Sequence, residues 1–289
     1  MNSTPKQNSI VRLVAISALA ALVSSVPLSA GIIFNDTFAE VSDADNYLRW
    51  QTGTGTEGDL DLTFSTTEDN ALLMHPASTA NSGVIGNSQR IGIRMFAPVT
   101  LDAGETLLLT INFKLSGTTN TPNRFGLYNI DGTVTDGSLQ GKTGIRKTGY
   151  HSLVYHNSGT SNGQLREEDV TSPNSYILSS GTGVTQQKSV NLTNASIFRL
   201  SIKNNGDGTA TIVSTLTQDG VTSYNMTYED TGSPYLTFNA LTLLAMSDTV
   251  LDSIKLEKLA AAVPEPAAWT AFAGLAALAL AACITLRRR

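Results

Sequence analysis

Carboxylates are the side chains in this sequence whose spacing could support cleavage of a glycosidic bond. That reaction needs two carboxyl groups flanking the bond, and acids at alternate positions of a strand share one face. The dense acidic cluster Arg166-Glu167-Glu168-Asp169 has its acids at consecutive positions, within a stretch rich in Gly, Ser and Pro. We therefore expect a solvated loop there, no catalytic residues, and a protein that is not an enzyme.

The cysteine and the histidines give no better support for catalysis or for metal binding than the carboxylates do. The single cysteine, Cys283, lies in an apolar run, and the sequence has no Gly-x-Ser-x-Gly nucleophile motif. His151 and His156 are five positions apart and would lie on opposite faces of a strand. We therefore do not expect these two histidines to share a metal ion.

Four aspartates are candidates for a structural calcium ion, which prefers carboxylate and carbonyl oxygens. Asp131 and Asp136 lie in a Gly-rich run that lacks the spacing and the terminal glutamate of an EF-hand, and Asp-Gly pairs are equally typical of turns. Asp36 and Asp252 would come together if the strands at the two ends of the body were neighbours. The sequence identifies no certain cofactor, and Ca²⁺ binding stays an open alternative at both pairs of aspartates.

Exposed aromatic side chains commonly contact sugars in binding sites. The candidates are Tyr47, Trp50 and Tyr128. Trp50 is the only tryptophan apart from Trp269 in the C-terminal segment, so a platform of several tryptophans is not expected. If the chain binds sugar, these three residues are the predicted contacts.

Short apolar runs with a period of two dominate the region from 31 to 259 and predict a single all-β domain, a β-sandwich or jelly roll. Glu105–Leu115 and Ser196–Lys203 are the clearest strands. Asn205-Gly206-Asp207-Gly208 and Asp219-Gly220 predict hairpin turns. Outside residues 1–30 and the C-terminal segment, no long helical period is present.

Residues 1–30 are typical of a secretory signal peptide. Lys6 and Arg12 precede the apolar run Leu13–Val23, and a small residue, Ala30, ends the segment at the expected cleavage point. Between Gly31 and Leu286 there are 14 basic and 24 acidic residues, a net charge of −10. Nucleic acid is excluded as a partner because its binding depends on neutralising phosphates.

The C-terminal segment has three parts. A linker, residues 260–267, contains Val263-Pro264-Glu265-Pro266 and is extended because each proline disfavours helix. Residues 268–286 carry no charge and predict a transmembrane helix, since 19 residues span roughly 28 Å. The tail, Arg287, Arg288 and Arg289, would stay in the cytoplasm.

This arrangement resembles the PEP-CTERM sorting signal of Gram-negative bacteria. The resemblance implies that Val263, Pro264, Glu265 and Pro266 are recognised by exosortase, a membrane-embedded transpeptidase, and that Arg287–Arg289 form the basic stop. It also implies an inner-membrane-anchored precursor with a periplasmic body, which then reaches the cell surface or the extracellular matrix. Family members are typical of bacteria that make exopolysaccharide.

The body has a second resemblance, to concanavalin A-like lectin and glucanase jelly rolls. It rests on Phe34-Asn35-Asp36-Thr37-Phe38 and on Leu251-Asp252-Ser253-Ile254-Lys255-Leu256. The resemblance implies that the first and last strands are neighbours. The Glu-x-Asp-x-x-Glu motif of the glucanases is absent, and a galactose-binding-like sandwich is the main alternative fold.

Together these features predict an exported surface or matrix protein with a non-catalytic, lectin-like domain for polysaccharide. Two alternatives stay open: a polysaccharide-active enzyme, glycosidase or lyase, on the same fold, and a purely structural surface scaffold.

Overall fold

The computed structural model describes residues 31–53, 62–66, 70–76, 88–115, 122–136, 138–140, 146–155, 162–170, 183–187, 190–244 and 248–261. The predicted signal peptide, Pro-Glu-Pro motif, apolar segment and basic tail lie outside these ranges. No helix within them has the length and apolar character needed to cross a membrane.

Sixteen strands are present in the described residues. They are β1 (Gly31–Asp36), β2 (Tyr47–Gly53), β3 (Leu62–Thr66), β4 (Leu72–Pro76), β5 (Ser88–Thr100), β6 (Thr106–Leu115), β7 (Pro122–Asp131), β8 (Ser138–Gln140), β9 (Arg146–Tyr155), β10 (Asn162–Val170), β11 (Gly183–Gln187), β12 (Ser196–Asn204), β13 (Ala210–Gln218), β14 (Val221–Asp230), β15 (Thr237–Leu244) and β16 (Thr249–Leu259). A short 3₁₀ helix, Val41–Asn46, precedes β2.

The strands form two sheets. The first has the order β14-β13-β12-β6-β16-β4-β3, with β1 also on β16, and the second has the order β11-β10-β9-β7-β15-β5-β2-β8. The described pairs are antiparallel except for β2 with β8. The predicted all-β sandwich is confirmed.

The core lies between the two sheets. Phe125 of the second sheet packs against Phe113 and Phe198 of the first, with ring centroids 5.1 and 4.9 Å apart. The alternation predicted for β6 is confirmed, since Leu107, Leu109, Ile111, Phe113 and Leu115 are all buried. One face of each strand therefore supplies the shared core, as a period of two requires.

The two ends of the body are neighbours, as the jelly-roll resemblance implied. Strand β1 pairs antiparallel with β16, with Phe34 opposite Leu256 and Asp36 opposite Ile254. The predicted hairpins are also confirmed, because Asn205–Gly208 joins β12 to β13 and Asp219-Gly220 joins β13 to β14. Asp219 and Gly220 have φ values of 50° and 75°, which suit a tight two-residue turn.

The expectation of a solvated loop at Arg166–Asp169 is wrong. These residues belong to β10, which pairs with β9 on one side and with β11 on the other. Only Leu165 and Val170 are apolar among the last six residues of that strand, so its hydrophobic alternation is weak. Its position inside the sheet and the pairing of its buried charge, described below, hold it as a strand.

Candidate functional site

The second sheet has an inner face toward the core and an outer face on its other side. Cross-strand pairs define the outer face, because residues opposite each other on neighbouring strands share a face. Tyr128 is paired with Ala240, and Ala240 with Met95. Every described strand belongs to one of the two sheets, so no described strand lies over this outer face.

Five polar residues of β7, β9 and β10 cluster on the outer face, and we call them the outer-face cluster. Strand β7 supplies Arg124 and Tyr128, β9 supplies Lys147 and His151, and β10 supplies Glu168. Their exposed fractions range from 0 to 4 %. Charged side chains this deeply buried are rare unless they are paired, so partners must offset the cost of burying this cluster.

Two glycines make room for the cluster. Gly126 alternates with Arg124 and Tyr128, and a Cβ atom on Gly126 would lie 2.5 Å from the Tyr128 ring and 2.8 Å from the His151 Cβ. Gly149 alternates with Lys147 and His151, and a Cβ there would lie 2.2 Å from the Leu127 carbonyl oxygen. A side chain at Gly126 would displace the ring and the imidazole, and one at Gly149 would clash with the backbone of β7.

Glu168 is the centre of the cluster. Lys147 Nζ lies 3.0 Å from Glu168 Oε1, and His151 Nδ1 lies 3.0 Å from Glu168 Oε2. The Tyr128 hydroxyl donates a short hydrogen bond to Glu168 Oε2. The Lys147 ammonium also lies 4.3 Å from the centroid of the Tyr128 ring, a cation–π distance.

Burial and charge together determine the protonation states in the cluster. Burial alone would raise the pKa of Glu168, but Lys147, His151 and Arg124 hold that pKa well below its usual range. Burial, followed by the Arg124 charge, lowers the pKa of His151 to about 4. At pH 7 the Glu168 carboxylate is therefore ionised and the His151 imidazole is neutral.

Arg124 is the unusual member of the cluster. Its exposed fraction is 2 %, yet among the described residues none accepts a hydrogen bond from any of its three guanidinium nitrogens. His151 Nε2 is likewise buried without a hydrogen-bond partner there. Unpaired buried donors cost free energy, and an unpaired buried charge costs most of all.

The rest of the outer face divides into an apolar half and a polar margin. The apolar half consists of Ile91, Ile93, Ile130, Ala240 and Leu244, packed with Tyr128 and the half-buried Met95 and Val134. The polar margin consists of Gln164 and Arg166 on β10, both half-buried, with Arg166 opposite His151. A few polar groups beside predominantly apolar side chains are the usual lining of a small-ligand site.

The consecutive acids Glu167 and Glu168 of β10 lie on opposite faces of the second sheet. While Glu168 joins the outer-face cluster, the Tyr228 hydroxyl of the first sheet donates to Glu167 Oε2 at 3.1 Å. This alternation keeps the two carboxylates apart. Among the residues named above for the outer face, Glu168 is the one carboxylate.

The predicted sugar contacts lie in different places. Tyr47 is in the core, where its hydroxyl donates to Asp36 Oδ2 at 2.7 Å, and Tyr128 is fully buried in the outer-face cluster. Neither is an exposed aromatic platform. Trp50 lies in β2, opposite Ile91 of β5.

Two of the four predicted calcium ligands, Asp36 and Asp136, have other partners. The Asp36 carboxylate is buried and lies 2.9 Å from Arg94 Nε, whereas Asp252 is exposed on β16. Asp131 is exposed at the end of β7, and Asp136 pairs with Arg49 at the surface. No group of three or more His, Cys, Asp or Glu residues suited to a metal ion occurs among the described residues. Calcium stays a prediction.

No protein-family model matches this chain, and no characterised protein matches it in sequence. Its structure is similar to an endo-1,3-β-glucanase from Streptomyces sioyaensis, with 14 % identity over 81 % of this chain and 98 % of that one and a TM-score of 0.49. It is also similar to a legume lectin-like domain from Entamoeba histolytica, with 12 % identity over 75 % and 92 % of the two chains and a TM-score of 0.45. Lectin II from Ulex europaeus gives 10 % identity, 81 % and 100 % coverage and a TM-score of 0.44.

Proposed function

We propose that this chain is an exported, non-enzymatic protein whose β-sandwich binds polysaccharide on the outer face of the second sheet. The observation that carries the proposal is the outer-face cluster, in which a buried guanidinium has no described partner. A protein keeps an unpaired buried donor at a cost in stability, and such groups are typical of sites that bind a ligand. Apolar side chains beside the cluster suit the carbon–hydrogen faces of a sugar.

The margin residue Arg166 offers a test of this location, with Arg199 as the matched control. Arg166 is half-buried beside His151, whereas Arg199 is exposed on β12 of the first sheet. Arg166→Glu should weaken co-sedimentation of the full chain, purified in mild detergent, with insoluble polysaccharides by roughly tenfold, because the change reverses a charge at the site. Arg199→Glu should leave binding unchanged. Equal effects of the two variants on binding would show that the outer face is not the polysaccharide-binding site.

The same incubations test the enzymatic alternative. A glycoside hydrolase needs two carboxyl groups, and Glu168 alone, already ionised and paired with Lys147, does not supply them. His151 favours the alternative, because a neutral imidazole with an unpartnered Nε2 can act as a base. We expect no new reducing ends in any polysaccharide after incubation. Their formation, lost in His151→Gln, would make the chain a polysaccharide-active enzyme.

The sorting half of the proposal rests on the C-terminal sequence. We propose that exosortase recognises Val263–Pro266 and that Ala268–Leu286 and Arg287–Arg289 hold the precursor in the inner membrane. In the native host, the double variant Pro264→Ala, Glu265→Ala should remain in the inner-membrane fraction at full mass. Ala267→Ser, just outside the motif, should be processed normally. Normal processing and release of the double variant would exclude this sorting route.

A further inference from the structure

The charge balance of the outer-face cluster points to the kind of ligand. Lys147 and Glu168 form an ion pair, His151 is neutral at pH 7, and Arg124 is therefore a cation without a counter-ion in the cluster. A buried charge of this kind is costly unless an opposite charge joins it. A ligand with one negative charge would neutralise this one excess positive charge.

The geometry of arginine further restricts which anionic group could neutralise Arg124. Its planar guanidinium presents parallel N–H donors that match the two oxygens of a carboxylate. All three guanidinium nitrogens of Arg124 are buried and without a described acceptor, so none of these donors is committed to another described residue. A neutral sugar hydroxyl could accept one hydrogen bond, but it would leave the charge uncompensated.

The surroundings of Arg124 suit a sugar acid rather than a free inorganic anion. On one side lie Ile91, Ile93 and Leu244, which offer no hydrogen bonds but can pack on a pyranose ring. On the other side Leu153 of β9 lies directly opposite Arg124, and next to Leu153 lie His151, with an unpartnered Nε2, and the half-buried Arg166 and Gln164. These polar groups can bind ring hydroxyls around the acid group.

We propose that Arg124 binds the carboxylate of an acidic sugar, so that the polysaccharide recognised by the outer face is a polyuronate. This inference rests on the proposed binding function and names its ligand class. Long-range attraction cannot account for such a preference, because the chain between Gly31 and Leu286 is itself strongly acidic. The preference must come from the local site.

The test compares polyuronates with their own carboxyl-reduced forms, which keep the linkage and lose the charge. Full chain in mild detergent is titrated with soluble oligomers of galacturonate, glucuronate, mannuronate and guluronate, and with the reduced form of each. At least one uronate should bind roughly ten- to a hundredfold more tightly than its reduced form, the usual range for one charged hydrogen-bonding pair. Equal affinity for the two forms would overturn the inference but keep polysaccharide binding. Absence of binding to any saccharide would overturn both.

Variants of Arg124 provide the second measurement. Arg124→Gln should lose the preference for the uronate, Arg124→Lys should retain part of it, and Arg199→Gln should change nothing. Because an unpaired buried charge destabilises the fold, Arg124→Gln should unfold at the same temperature as the wild type or higher. An arginine with a structural role would give the reverse result. A misfolded or less stable Arg124→Gln protein would therefore contradict the proposal.

Discussion

Glu168→Gln is expected to lower the free energy of unfolding by about 3–5 kcal/mol, the usual cost of breaking a buried ion pair. The substitution keeps the size of the side chain and removes its charge. Lys147 and Arg124 would then be two buried cations without a carboxylate in the cluster. Denaturant unfolding of the full chain, monitored by the fluorescence of its tryptophans, measures this loss.

Asp136→Asn is the matched control, since it also replaces the carboxylate of an ion pair by a neutral amide. Asp136 pairs with Arg49, and the two side chains are 46 % and 38 % exposed. An exposed pair contributes only about 0–1 kcal/mol, so this variant should unfold almost as the wild type does. Similar small losses in both variants would show that Glu168 is solvated in solution, contrary to its burial in the structure.

Between pH 6.5 and pH 5, His151 is expected to reduce the free energy of unfolding by about 2 kcal/mol. In the unfolded chain a histidine takes up its proton near pH 6.5, whereas the folded pKa of His151 is lowered to about 4. The unfolded state therefore binds more protons throughout this interval, and stability present above pH 6.5 is lost as the pH falls. Glu168, with an unfolded pKa of about 4.3, contributes mainly below this range.

The groups that face His151 all act on this titration. Arg124 and Lys147 disfavour the imidazolium, Glu168 favours it, Tyr128 stacks beside the ring, and Arg166 is its neighbour on β10. In His151→Gln the loss of stability between pH 6.5 and 5 should shrink by about 2 kcal/mol relative to the wild type. An unchanged slope would mean that the imidazole is already accessible to water and protons in the folded state.

The fold was predictable from the sequence wherever one face of a strand is apolar. Thr106–Leu115 and Ser196–Asn204 alternate cleanly because they lie over the core, and their burial follows that alternation. Strand β10 was missed because its two faces are both polar in large part. Its stability depends on partners such as Lys147 that are distant in the sequence, and spacing within one segment cannot reveal them.

Of the candidate site, Tyr128 was predicted from the sequence as a ligand contact, but the charged residues around it were missed for the same reason, although the sequence does contain a signal. Arg124-Phe-Gly-Leu-Tyr128 and Lys147-Thr-Gly-Tyr-His151 share a pattern of a basic residue, glycine and a ring at alternate positions. Alternation places those three on one face, and the glycine leaves room for the rings of the neighbouring strand. Which strands pair, and that Glu168 completes the cluster, follows only from the sheet order.

If Arg124 binds the acid group of a sugar, the NMR signal of its Nε–H group should report that contact. The signal is assigned by its disappearance in Arg124→Lys and followed in the full chain as the best-binding oligouronate is added. We predict a shift that saturates with binding, no shift with the carboxyl-reduced oligomer, and none for Arg199 with either. Saturable binding of the oligouronate that leaves the Arg124 signal unmoved would show that Arg124 does not bind the sugar acid.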